Sequence, residues 1–368
     1  MKFPRLGLLI KKSVNARVYF CNLALLTCFF CIAFLLGSSI FFNNHVILSR
    51  FRMRSLGKPT HCMNECRPPG SEPLPRGIVS RQSNLEMRPI QGSNFKPRKK
   101  SSKSLLAIAA GIKQKKVVDK IAKKFSSSDF TIMLFHYDGV IDDWGDLEWS
   151  STAIHVSAIN QTKWWFAKRF LHPDIVAEYH YIFLWDEDLG VDHFNPKRYI
   201  SIIQKESLEI SQPALDMAKS EVHHQITARG RKGKLHRRIY KTRGGGRCYE
   251  NSTAPPCTGW VEMMAPVFSR AAWQCVWHMI QNDLIHAWGL DKKLGYCAQG
   301  ERSKNIGVVD SEYIVHFGIP TLGSLPENKV KDYYSVRRRS YVELILFQKR
   351  WKKAVEEDDC WIDPYHEL

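Results

Sequence analysis

The segment HYIFLWDEDL, residues 180–189, limits the possible folds more than any other stretch of the chain. From Tyr181 to Trp185 no polar face remains, so such a strand must be buried on both sides, as in a parallel sheet covered by helices. SLLAIAAGI (104–112) and FTIMLFHYDG (130–139) meet the same condition, and SSTAIHVSAI (150–159) is a third strand. Between them, KQKKVVDKIAKKF sets Val117, Val118, Ile121 and Phe125 on one helical face, and TKWWFAKRFLHPDIVAEY reads as a helix interrupted at Pro173. NPKRYISIIQKESLEISQPAL then reads as a helix leading to a strand, and GWVEMMAPVFSRAAWQCVWHMI as a strand turning into a helix. NIGVVDSEYIVHFG is a last strand, followed by an amphipathic helix over 334–357. This alternation predicts an α/β fold over residues 104–368: a Rossmann-like, mostly parallel sheet with helices on both faces.

The apolar run at 181–185 ends in three consecutive carboxylates, Asp186, Glu187 and Asp188. Like charges so close repel one another unless something positive sits among them. The two-residue period of a strand turns Asp186 and Asp188 to one side and Glu187 to the other. Ligands of open parallel sheets sit beyond the carboxyl ends of the strands, where this pair lies. A hard divalent cation, Mn²⁺ or Mg²⁺, takes oxygen ligands and would bridge the two carboxylates to a diphosphate. The loop HYDGVIDDWGD also ends a strand, which makes Asp138 a candidate contact for a nucleotide or its ribose. Trp164 and Trp165, beside Lys168 and Arg169, fit helix packing better than ligand contact. The ten Lys and Arg of residues 219–247 read as a solvated loop or as a lid over a leaving diphosphate.

Net charge is +18, yet residues 1–103 hold 18 Lys and Arg against 3 Asp and Glu. The remainder is nearly neutral, which excludes nucleic acid as a partner, because a nucleic-acid binder concentrates basic charge on its folded domain. No charged residue occurs from Val18 to Phe42, 25 residues that suffice to cross a bilayer. The expected layout is a cytosolic tail (1–17), an uncleaved signal anchor embedded in the membrane by one helix (18–42), a flexible basic stem rich in Pro, Arg and Ser (43–103), and a luminal domain (104–368). Sequons at Asn160 and Asn251 agree with a luminal domain. Cys248 and Cys257 bracket a short loop and are expected to form a disulfide.

Several segments together carry a resemblance: KWWFAKRFLHPDIV, YIFLWDEDLGVDHF, EISQPALD, WGLDKKLGYC and VVDSEYIVHFGIPTLG. Over residues 104–325 the chain resembles a plant family of single-span, type II membrane proteins whose domain has no assigned activity, and that domain resembles the GT-A class of nucleotide-sugar glycosyltransferases. The resemblance implies a transferase of the Golgi or another secretory-pathway membrane, with a nucleotide-sugar donor and a glycan or cell-wall acceptor. It implies Asp186 and Asp188 as metal ligands, His316 as a late third ligand, and Asp291 or Asp283 as the catalytic base; if Asp291 is only a helix cap, Asp283 or Glu262 takes its place. Two alternatives stand beside it. In a haloacid-dehalogenase-type phosphatase, Asp186 would be the nucleophile and Asp188 its acid/base partner. That motif normally opens its domain, whereas here three strands precede it. The other alternative is an inactive domain that binds a glycan or a partner.

Overall fold

The computed structural model describes residues 62, 67–79, 103–230, 233–319 and 329–365. The uncharged span 18–42 lies outside them, and among the described residues no helix is long and apolar enough to cross a membrane. The chain divides into two units, 1–65 and 66–368. Of the first, Cys62 alone is described; the second holds the fold.

Four strands open the sheet: β1 (Ser104–Ala110), β2 (Phe130–His136), β3 (Ile154–Ser157) and β4 (Tyr181–Trp185). All are parallel, in the spatial order β3-β2-β1-β4. Helix α1 (Lys115–Phe125) connects β1 to β2, and α2 (Lys163–Phe170) lies between β3 and β4. The short β5 (Leu189–Gly190) precedes α3 (Pro196–Lys205), β6 (Ile210–Leu215) and β7 (Leu235–His236). Then follow β8 (Val267–Ser269), α4 (Arg270–Met279), the one-turn α5 (Arg302–Asn305), β9 (Ile306–His316) and the long α6 (Lys329–Glu357). Beyond β4 the sheet continues β8-β6-β9-β5, with β7 also paired to β9. Strand β8 runs antiparallel to both β4 and β6, while β6 and β9 are parallel. The result is a mixed α/β fold in which most of the paired length is parallel.

Alternation along the strands builds two cores, one on each face. On β4, Ile182 and Leu184 face one core with Phe166, Trp273 and Val276, while Phe183 and Trp185 face the other with Phe125, Phe194 and Tyr199. This two-sided burial is why the strand sequences are apolar without a polar period. Short-range expectations differ at their ends. Of the expected strand in GWVEMMAPVF only Val267 and Phe268, with the following Ser269, join the sheet. Helix α2 stops at Phe170, before Pro173, and α6 already begins at Lys329.

Part of the stretch read from composition as a flexible stem is instead built into the domain. Successive turns, with Leu74 N–H donating to Ser71 O and Ile78 N–H to Pro75 O, leave Leu74 and Ile78 fully buried. Arg67 and the backbone N–H of Arg76 both donate to Asp358, and Trp361 Nε1 donates to Pro73 O. A proline-rich segment needs few apolar residues to order, because its φ angles are largely set beforehand.

The basic segment 219–247 is likewise tied down in its described part. His236 lies within 2.9 Å of Asp310 Oδ2 on β9. Arg237 bonds Glu206, and Arg238 donates to the carbonyls of Tyr249, Glu250 and Ser252. The Cys248–Cys257 disulfide is formed, and a second joins Cys275 of α4 to Cys297.

Candidate functional site

The carboxyl end of β4 opens into a cleft of about 720 Å³. Strand β5 pairs antiparallel with β9 in a register that sets Leu189 opposite His316. This ladder carries the last residue of β9 to the acidic end of β4. Asp186, Asp188 and His316 each offer a ligand atom, and these atoms lie within 4.8 Å of one another; among the described residues no other group of three His, Cys, Asp or Glu does so. Gly190 permits the approach, since a Cβ there would stand 2.9 Å from Phe317 Cζ and 3.1 Å from Val315 Cβ.

The three groups are held differently. Asp188 is buried, accepts from the Ile319 N–H at 2.8 Å, and lies 3.5 Å from His316 Nε2. Burial, then the charge of Asp186, pushes its carboxyl up from the ordinary range. Asp186 is the more open of the two and pairs with Lys163 Nζ at 2.5 Å. His316 keeps a buried Nδ1 with no hydrogen-bond partner. Two carboxylates and an imidazole with a spare nitrogen suit Mn²⁺ well and Mg²⁺ less well, since Mg²⁺ prefers an all-oxygen shell. Glu187, which lines the cleft beside Asp186, accepts from the Tyr137 hydroxyl at 2.9 Å. Its burial, with Asp186 next to it, pushes it up to about 8. The crowding of three carboxylates is relieved by the Lys163 ion pair, by the His316 contact and by the Tyr137 hydroxyl on the middle one.

Of the candidate bases, Asp291 and Glu262 line the same cleft as Asp186 and His316. Asp291 follows Gly289, whose φ of +95° is free only to glycine and lets the chain pass close under Leu344 of α6. The short helical turn beyond Asp291 starts from Lys293 (Asp291 is not its cap). Burial raises the Asp291 carboxyl, against the N–H of Lys292 and the Trp260 side chain, which hydrogen-bond it. Glu262 is pushed up to about 7 by burial and then by Asp186, Asp291 and Glu221, and its Oε2 has no partner. Asp283 is not among the cleft-lining residues; it is exposed and held in a fork by Arg350, which lowers its carboxyl. Asp138 ties its own loop to the connection after β1, accepting from the N–H groups of Val140 and Ile112. Trp164 lines the cleft, while Lys168 is spent on the Trp277 carbonyl and Arg169 on the face of Trp165.

Sequence reasoning passed over Lys163, Tyr137, His223, His224 and Trp288, all of which line the cleft. Lys163 did carry a signal. It follows Thr162, the cap of α2, and a cation is disfavoured in the first turn of a helix. The far side of the cleft is closed by α6, fastened there by Glu343 to the backbone N–H and ring of His286.

Solved structures similar to the chain are remote. TarS 1-349 from S. aureus is 10% identical with a TM-score of 0.39, covering 69% of this chain and 70% of that one. Its complex with UDP gives 10% and 0.34, over 68% and 70%. The glycosyltransferase GlyE of Streptococcus pneumoniae TIGR4 gives 9% and 0.33, over 69% and 64%. Scores of this size carry no functional argument. No curated protein matches the sequence. One family does match, over residues 65–357, nearly the whole second unit: the chain belongs to the family described as protein of unknown function, DUF707.

Proposed function

We propose that the protein is a divalent-cation-dependent glycosyltransferase of GT-A-like architecture, moving a sugar from a nucleotide sugar to a glycan or cell-wall acceptor. The observation that supports this most is the meeting of Asp186, Asp188 and His316 at the carboxyl edge of the sheet, beside a cleft large enough for a nucleotide sugar. In this reading those three residues hold Mn²⁺ or Mg²⁺, which when bound supplies charge neutralisation to the departing diphosphate. Asp291 or Glu262 accepts the proton of the attacking hydroxyl, and burial has raised both carboxyls toward the neutral range in which a general base works best. Trp288, exposed at the rim, offers an apolar face to a sugar ring. The span 18–42 then anchors a luminal domain in a Golgi or other secretory-pathway membrane, with glycans on Asn160 and Asn251.

Calorimetry of residues 66–368 against a panel of nucleotide sugars, with and without Mn²⁺, tests the reading. Binding is expected only with the metal, and Asp188→Ala is expected to abolish it. Asp291→Asn or Glu262→Gln, whichever removes the base, is expected to keep binding while turnover falls by about 10²–10⁴-fold. A parent protein that binds no nucleotide sugar in the presence of Mn²⁺ would refute it.

A further inference from the structure

Lys163 is the first residue of α2, where the positive end of the helix dipole opposes a cation. Three acceptors compensate it. Nζ lies 2.5 Å from Asp186 Oδ1 and donates to the carbonyls of Met263 at 2.7 Å and Met264 at 3.3 Å. Its side chain is only 8% exposed, so all three ammonium donors are directed at protein atoms rather than at water. The residue thus claims one of the carboxylates that a divalent ion between Asp186, Asp188 and His316 would need.

We propose that Lys163 is the resident counter-cation of Asp186 and makes divalent-cation binding at this site conditional on a nucleoside diphosphate. The inference rests on the cation site of the proposed function. An ion entering the trio meets an ammonium fixed at contact distance from the same carboxylate, and cations that close repel one another, the more so because the ammonium is itself shielded from water. The two carboxylates that follow Asp186 in the acidic run give little relief: Glu187 is bonded by Tyr137, and Asp188 is engaged by Ile319 and His316. A diphosphate changes the balance, because its oxygens can face both cations at once. Metal and diphosphate then each raise the affinity of the other, by one and the same factor.

The test uses isothermal titration of Mn²⁺, alone and with saturating uridine diphosphate, on the parent, Lys163→Gln and Lys163→Arg. Glutamine removes the charge but keeps an N–H donor for the two methionine carbonyls, and arginine keeps the charge. Uridine diphosphate is expected to tighten Mn²⁺ binding to the parent by about 5–150-fold, the usual range of such coupling. Lys163→Gln is expected to bind Mn²⁺ alone about tenfold tighter than the parent and to show markedly weaker coupling, while Lys163→Arg follows the parent. Equal Mn²⁺ affinity and equal coupling in the parent and Lys163→Gln would overturn the role of Lys163 and leave the cation site standing. Absence of Mn²⁺ binding in every protein, with or without uridine diphosphate, would overturn both. The parent decides even if Lys163→Gln does not fold: Mn²⁺ affinity indifferent to uridine diphosphate sinks the inference.

Discussion

Within three consecutive residues the chain places carboxyl groups in three different states. Asp186 is half open and paired with an ammonium, Asp188 is buried against backbone N–H and imidazole, and Glu187 is buried against a phenol. Glu187 has a measurable consequence. Its folded carboxyl holds its proton up to about pH 8, against an ordinary 4.5. Between those two values the unfolded chain has lost a proton that the folded chain retains. The contribution of Glu187 to stability is therefore intact below about pH 4.5 and is lost as pH rises through about 8. Glu187→Gln, which cannot ionise and still offers Tyr137 an acceptor, is expected to remove this loss. Thermal unfolding in chelator from pH 5 to about 9 checks it: the variant should gain on the parent as pH rises to about 8 and level off above it. A constant difference between the two would show that Glu187 is ionised in the folded protein. Asp186 and Asp188 were legible in the sequence as carboxylates at the end of an apolar strand, although β4 stops at Trp185 and the strand period does not continue through them. Glu262 and Lys163 were less so. Glu262 lies in an irregular segment before β8, and Lys163 gains its meaning from carbonyls about a hundred residues away.

At the scale of elements, the register of β5 on β9 assembles the site more than any single helix does. Two residues of β5 are enough, since the pairing continues through Phe317 N–H to Asp188 O. No local signal marks Leu189–Gly190 as a strand; it forms because β9 lies beside it with free backbone groups. The segment 67–79 shows the same dependence on a partner. Its composition reads as linker, yet Leu74 and Ile78 complete a core already formed by α4, α6 and the loops between them. Leu74→Ala is therefore expected to destabilise the domain by about 2–5 kcal/mol, the usual cost of emptying a buried leucine site. Urea unfolding would measure it, and a loss below about 0.5 kcal/mol, typical of surface substitutions, would mean the segment is not part of the cooperative unit.

For the molecule as a whole, the charge asymmetry acquires a physical layout. The nearly neutral part of the sequence, 104–368, carries the sheet and lines the cleft, and the basic excess belongs to the residues before β1. Asn160 and Asn251 are both exposed on that unit, and the αL conformation of Asn160, with φ of 59°, is one that asparagine tolerates. Neither site would be blocked by packing if the domain enters the secretory pathway. Expressed in full length in eukaryotic cells, the protein is expected to gain gel mobility on glycosidase treatment, and Asn160→Gln with Asn251→Gln to abolish the gain. An unglycosylated protein whose domain is digested by protease outside sealed microsomes would place the domain on the cytosolic side.

The sequence by itself determined the class of fold and the place of its acidic cluster. Strands apolar on both faces have to be covered by helices, and carboxylates at the end of one such strand have to lie on the sheet's ligand-binding edge. It also marked Cys248 and Cys257, nine residues apart, for the disulfide they form. Only the tertiary structure decided which distant groups meet those carboxylates. His316 arrives through the antiparallel register of β5 on β9, and Lys163 through the carbonyls ahead of β8. Asp291 and Asp283 were both candidate bases in the sequence, Asp291 the first choice; it is drawn under α6 into the cleft, while Asp283 is exposed and neutralised by Arg350. Local patterning sets direction along a strand, but ion pairs and ligand sets depend on separations of a few ångströms between segments far apart in the chain, and those are set by packing.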